Sequence, residues 1–91
     1  MRVISRKWLV ELARRNPGLD AWFHEAEHAD WANPAQVKAQ YATASILKNG
    51  RVVFHIGGNK YRLVVRINYA YRVVYVRFAL DSRRVRPNLL G

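Results

Sequence analysis

In the first half of the chain apolar residues recur at intervals of three and four; from residue 51 onward they alternate with polar ones. The first rhythm belongs to helices with one buried face, the second to strands with two unlike faces. Trp8, Leu9, Leu12 and Ala13 form a helical stripe, with Ser5 placed to cap its start. Asn16-Pro17 ends that helix, because proline disfavours helical backbone in the residue before it. The same pair opens the next helix, with Asn16 as cap and Pro17 in the first turn. Leu19, Trp22, Phe23 and Ala26 then share one face. Asn33-Pro34 repeats the device for a short third helix running to about Ala39. Trp8, Trp22 and Trp31 are expected to pack the interior.

The alternating half divides into three strands. RVVFHI (51–56) turns Val52, Phe54 and Ile56 to one face, and GGNK (57–60) is turn chemistry. YRLVVRINY (61–69) sends Leu63, Val65 and Ile67 one way and Arg62, Val64, Arg66 and Asn68 the other. YRVVYVRFAL (71–80) points Val74, Val76 and Phe78 inward, with Tyr75 and Arg77 outward. The opening MRVIS suits an edge strand. Helices with an apolar stripe need an apolar sheet face to cover, so the expected class is α+β: N-terminal helices packed on one face of a small antiparallel sheet. Residues 1–91 are read as one domain, mainly helical over 1–47, stranded over 48–80, with a tail at 81–91.

Composition narrows the function. No apolar run is long enough to cross a bilayer, the N-terminus lacks a signal-peptide pattern, and cysteine is absent. A cytoplasmic protein without membrane partners or cofactors is expected. The net charge is +10, and it is polarised: residues 1–47 hold six basic and five acidic groups, residues 48–91 ten and one. Such a field suits a polyanion, with nucleic acid the first candidate; a solvated basic face or an acidic protein partner are the alternatives.

Pairing the strands so that their apolar faces coincide locates the charge. A loop at 57–60 places His55 opposite Arg62, and a two-residue turn at Tyr69-Ala70 places Arg62 opposite Arg77. Arg66 and Tyr75 lie beside this row on the open face. Facing arginines repel unless an anion lies between them. Guanidinium groups grip phosphate bidentately and neighbouring rings stack bases, so Arg51, Arg62, Arg66, Arg77 and Tyr75 are the RNA-binding candidates. The same arginines would stabilise the charged intermediate of phosphodiester cleavage. His55 is the candidate proton carrier, with a surface or packing role as its alternative. His24 and His28, one turn apart in HEAEH, have a zinc-compatible spacing but no third ligand, so no metal is expected.

The segment from Phe54 to Leu63, FHIGGNKYRL, resembles the F-x-I-G-G-N-K-Y-R-L block of HigB toxins, within the RelE-like group. The helix opened by Asn33-Pro34, the ILKNGR lead-in and the basic strands agree with it. The resemblance implies a RelE-like fold and an mRNA interferase: an endoribonuclease, commonly ribosome-dependent, that needs no metal and cleaves through the RNA 2′-hydroxyl. It also implies a cognate HigA-type antitoxin with a helix-turn-helix domain, through which alone the toxin meets DNA. The motif's Asn, Lys and Arg fall on Asn59, Lys60 and Arg62, and Arg77 matches the basic residue closing the last strand. Many relatives carry Asn where this chain has His55. A non-catalytic RNA- or ribosome-binding module is the alternative function.

The tail departs from the family. Relatives read like Gly-Thr-His-Ala-Glu-Tyr-Asp after the last strand, supplying acid, base and stacking groups; DSRRVRP (81–87) stands there in this chain. Written as GAC TCA CGC CGA GTA CGA CCN, it becomes Thr-His-Ala-Glu-Tyr-Asp when read one base later. A frameshifted end and an arginine-rich tail with added phosphate contacts are the two explanations. With the family's tail groups missing, activity is expected to be weak or absent.

Overall fold

A computed structural model describes residues 1–57 and 61–81. The elements run β1 (Arg2–Ile4), α1 (Lys7–Arg14), α2 (Pro17–His28), α3 (Pro34–Gln40), β2 (Ser45–Ile46), β3 (Arg51–Ile56), β4 (Tyr61–Asn68) and β5 (Val73–Asp81). The strands form one sheet in the order β1-β5-β4-β3-β2, antiparallel except where β1 lies parallel to β5. Three helices pack against one face of it, the α+β layer that the two rhythms require.

The core lies between those layers. Leu9, Ala13, Leu19, Trp22 and Ala26 from the helices meet Val52, Phe54, Leu63, Val65, Ile67 and Val74 from the sheet. Phe54 is its centre: the rings of Trp22, Trp31 and Tyr41 lie 5.2, 5.9 and 5.0 Å from it. Three aromatic rings gathered on a fourth bury much area for few ordered torsions, which suits a chain this short.

Pro17 and Pro34 open α2 and α3 as the sequence predicts, and Asn33 caps α3 by accepting from the Gln36 N–H at 3.0 Å. Ser5 does not cap α1. Arg6 holds the cap position, and the Ser5 hydroxyl donates to the Arg6 carbonyl instead. Trp8 also departs from expectation, being 51% exposed while Leu9 and Ala13 carry the buried stripe. An eight-residue helix packed along one edge has room for only a narrow seam, and Trp8 lies off it.

The larger correction concerns β4 and β5. Residues 69–72 form a four-residue turn in place of the expected Tyr69-Ala70 pair, with Arg72 in the left-handed region (φ 56°). The Asn68 side chain accepts from the Tyr71 N–H, and Arg72 pairs with Asp30 at 2.7 Å. Arg66 therefore lies across from Tyr75, and a bulge follows between Val64 and Val65. Val76 pairs with Val65 and Phe78 with Val64, leaving Arg77 as the extra residue. Arg62 consequently faces Leu80 and not Arg77, and Ala79, opposite Leu63, takes the core-side position expected of Phe78.

Candidate nucleic-acid interface

The sheet face away from the helices carries the basic residues because the pleat leaves them nowhere else. Val52, Phe54, Leu63 and Val65 fill the core, so the alternate positions must face outward. Register pairs Arg51 with Arg66, Val53 with Val64 and His55 with Arg62 across β3 and β4. Directly paired residues share a face, so Arg51, His55, Arg62 and Arg66 all belong to the open one.

These residues fall into two stations and not one row. His55 and Arg62 make the first, near the β3–β4 turn. The His55 ring nitrogen Nε2 lies 3.5 Å from the Ser45 hydroxyl of β2. Arg62 is half-buried, and its Nε is buried with no hydrogen-bond partner among the described residues. A buried donor without an acceptor costs free energy until a ligand oxygen supplies one. The second station lies four residues along β4, roughly 13 Å away at the usual strand rise. Here Arg66, Asn68, Tyr75 and Arg77 line a cleft of about 240 Å³. Arg51 faces Arg66 on its other side, its Nε donating to the Lys48 carbonyl at 3.2 Å. The bulge brings Arg77 here: an extra residue in β5 swings it toward Arg66 and away from His55 and Arg62.

The expected trio of His55, Arg62 and Arg77 is thus divided, while Arg51, Arg66, Arg77 and Tyr75 come together. Asn59 and Lys60 lie outside the described residues, as does the tail from Ser82 onward. Asn68 and Ser45 were not singled out by sequence. The alternation already set Asn68 on the open face beside Arg66, whereas Ser45 belongs to a two-residue strand too short to leave a pattern.

Electrostatically the face is one-sided. Among the described residues the ion pairs are His24 with Asp20 and Arg72 with Asp30, and neither involves Arg51, Arg62, Arg66 or Arg77. Glu11, Asp20, Glu25 and Glu27 lie on α1 and α2, and Asp30 follows α2 directly. Among the described residues no cluster of three or more metal-ligating side chains occurs. No described helix is long and apolar enough to cross a membrane. What the face is equipped to do is hold several oxyanions in a line and stack a ring beside them.

Residues 15–81 match the family model HigB_toxin, described as the RelE-like toxic component of a toxin–antitoxin system. No curated protein matches the chain.

Proposed function

The chain belongs to the HigB family of RelE-like toxins, whose partner is an antitoxin, and from that premise we propose that it acts as an endoribonuclease on messenger RNA. The observation that carries the reading is the open face itself: four arginines and Tyr75, with every fully described carboxylate elsewhere. RNA cleavage without a metal uses the strand's own 2′-oxygen, which attacks the adjacent phosphorus as the P–O5′ bond breaks. One proton leaves the 2′-hydroxyl, another arrives on the 5′-oxygen, and a 2′,3′-cyclic phosphate remains. The charge that builds on the phosphoryl oxygens is what a guanidinium stabilises.

In this reading the His55–Arg62 station holds the scissile phosphate. Arg62 offers its Nε, which has no partner among the described residues, to an equatorial oxygen, and the His55 imidazole carries one of the protons. Arg51, Arg66 and Arg77 hold neighbouring phosphates, and Tyr75, 38% exposed, stacks a base. By family resemblance Asn59 and Lys60 also contact the RNA. The substrate is messenger RNA engaged on the ribosome, and the antitoxin is of the HigA type, with a helix-turn-helix domain as the part that contacts DNA.

β5 ends beside this first station, since Tyr61 pairs with Asp81 and Arg62 with Leu80. The acid, base and stacking groups that relatives carry after this strand are missing from DSRRVRP, so turnover by the present chain is low. Cleavage of a translated message by the purified protein tests both points. Replacing residues 81–86 with Thr-His-Ala-Glu-Tyr-Asp is expected to raise the rate by about a hundredfold or more. Equal rates would refute the account of the tail. Silence from both forms, with RNA binding intact, would leave a binding module and no enzyme.

A further inference from the structure

A second cleft, of about 220 Å³, opens on the far side of Tyr75 and Arg77, lined also by Ile4, Ser5, Arg6 and Val76. Topology creates it. The parallel pairing of β1 with β5 sets Ile4 directly beside Tyr75 on the open face, and the chain then passes through Ser5 and Arg6 into α1. The bulge lifts Arg77 out of the regular ladder, so this one side chain borders both clefts, as does Tyr75.

The cleft has the composition of a nucleotide subsite. Ile4 gives it an apolar floor, Tyr75 an aromatic wall, and Arg6 and Arg77 a positive mouth, with no described carboxylate in the lining. Neither arginine forms an ion pair among the described residues. α1 begins at the same place, its cap residue Arg6 making no side-chain bond to the first-turn N–H groups, which adds to the positive field.

Resting on the reading of the open face as an RNA-binding surface, we propose that this cleft is a second nucleotide subsite and that Arg6 is a phosphate ligand within it. The RNA strand then continues past Tyr75 toward α1, placing a base over Ile4 against the ring and its phosphate between Arg6 and Arg77. An acidic peptide would also be drawn to two arginines. The apolar floor beside a stackable ring, and the continuity with the first cleft through shared residues, favour a ribonucleotide.

Fluorescence anisotropy with a 2′-O-methyl single-stranded RNA, which binds without being cut, tests the assignment on the full chain. Arg6→Ala is expected to weaken binding about tenfold and to lower the slope of log affinity against log salt by about 0.7, one phosphate contact. Arg14→Ala, an exposed charge at the other end of α1, is expected to change neither. If Arg66→Ala weakens binding while Arg6→Ala behaves like Arg14→Ala, the second subsite is refuted and the RNA face stands. If none of the three substitutions matters, the underlying reading falls. Loss of antitoxin affinity in Arg6→Ala with RNA affinity unchanged would assign the cleft to the protein partner and overturn the proposal.

Discussion

Arg51 and Arg66 face each other across β3 and β4, an arrangement that costs stability in the free protein and gains from any anion placed between them. Cross-strand pairs change stability by roughly 0.2–1 kcal/mol, and a like-charge pair takes the unfavourable sign. Arg51→Ala is therefore expected to raise the stability of the free chain by about 0.5 kcal/mol while weakening its hold on RNA. Urea unfolding with and without sulfate checks this: the ion is expected to stabilise the parent chain more than the variant. A variant less stable than the parent in the absence of anions would mean that the Arg51 bond to the Lys48 carbonyl outweighs the repulsion. Arg62 expresses the same trade in another form, through a buried Nε that has no hydrogen-bond partner among the described residues. Both residues hold positions that an anion bound to the open face would make less costly.

At the scale of elements, two identical dipeptide signals turn out to be used differently. Asn33 caps α3 with its side chain, and Gln36 answers by accepting from the Ala32 N–H at 2.6 Å. Asn16 occupies the cap position of α2 without a capping bond; its Nδ2 donates to the Leu12 carbonyl and its Oδ1 accepts from the Tyr61 hydroxyl, each at 2.7 Å. Asn16 is thus a brace from the α1–α2 corner to the first residue of β4. Replacing Asn33 with Ala is expected to cost about 1 kcal/mol, and Ser should restore most of it. At Asn16, Ser is too short to span both partners and should rescue little; denaturant unfolding of the four variants separates a cap from a brace. The Asn-Pro pairs, the strand spans and both faces of β3 and β4 were legible because each repeats over several residues. The β4–β5 register was not. Sliding a strand by two residues keeps every side chain on its face, so hydrophobic alternation cannot distinguish a two-residue turn from the four-residue one at 69–72. The bulge then reverses parity beyond Arg77, and nothing local in Val76-Arg77-Phe78 announces an extra residue. The longer turn and the bulge together are why the His55–Arg62–Arg77 row resolved into two stations.

At the scale of the whole molecule the two layers differ in charge: Glu11, Asp20, Glu25, Glu27 and Asp30 lie on or just after the helices, whereas Arg51, Arg62, Arg66 and Arg77 gather on the open face of the sheet. The seam between the layers holds two tyrosines that respond to alkali. Burial pushes the Tyr41 hydroxyl well above its ordinary value, and the Glu25 carboxylate, which accepts its hydrogen bond and repels a phenolate, raises it further. Burial alone raises Tyr69, whose hydroxyl has no partner among the described residues. Above an ordinary phenol pKa of about 10 the unfolded chain releases these protons and the folded chain retains them. The unfolded state then binds fewer protons, so stability falls as pH rises from there toward the folded values and is unaffected below. The contribution of one phenol is isolated by substitution: Tyr41→Phe removes it and leaves every other ionisable side chain in place. Thermal unfolding followed between pH 8 and 11.5 is expected to show a shallower alkaline decline in Tyr41→Phe than in the parent. Parallel curves would place the alkaline loss outside the Tyr41–Glu25 contact. Guanidinium groups that stay charged throughout add no pH dependence; Tyr69, the other phenol that burial raises, would then carry it, and Tyr69→Phe would flatten the decline instead.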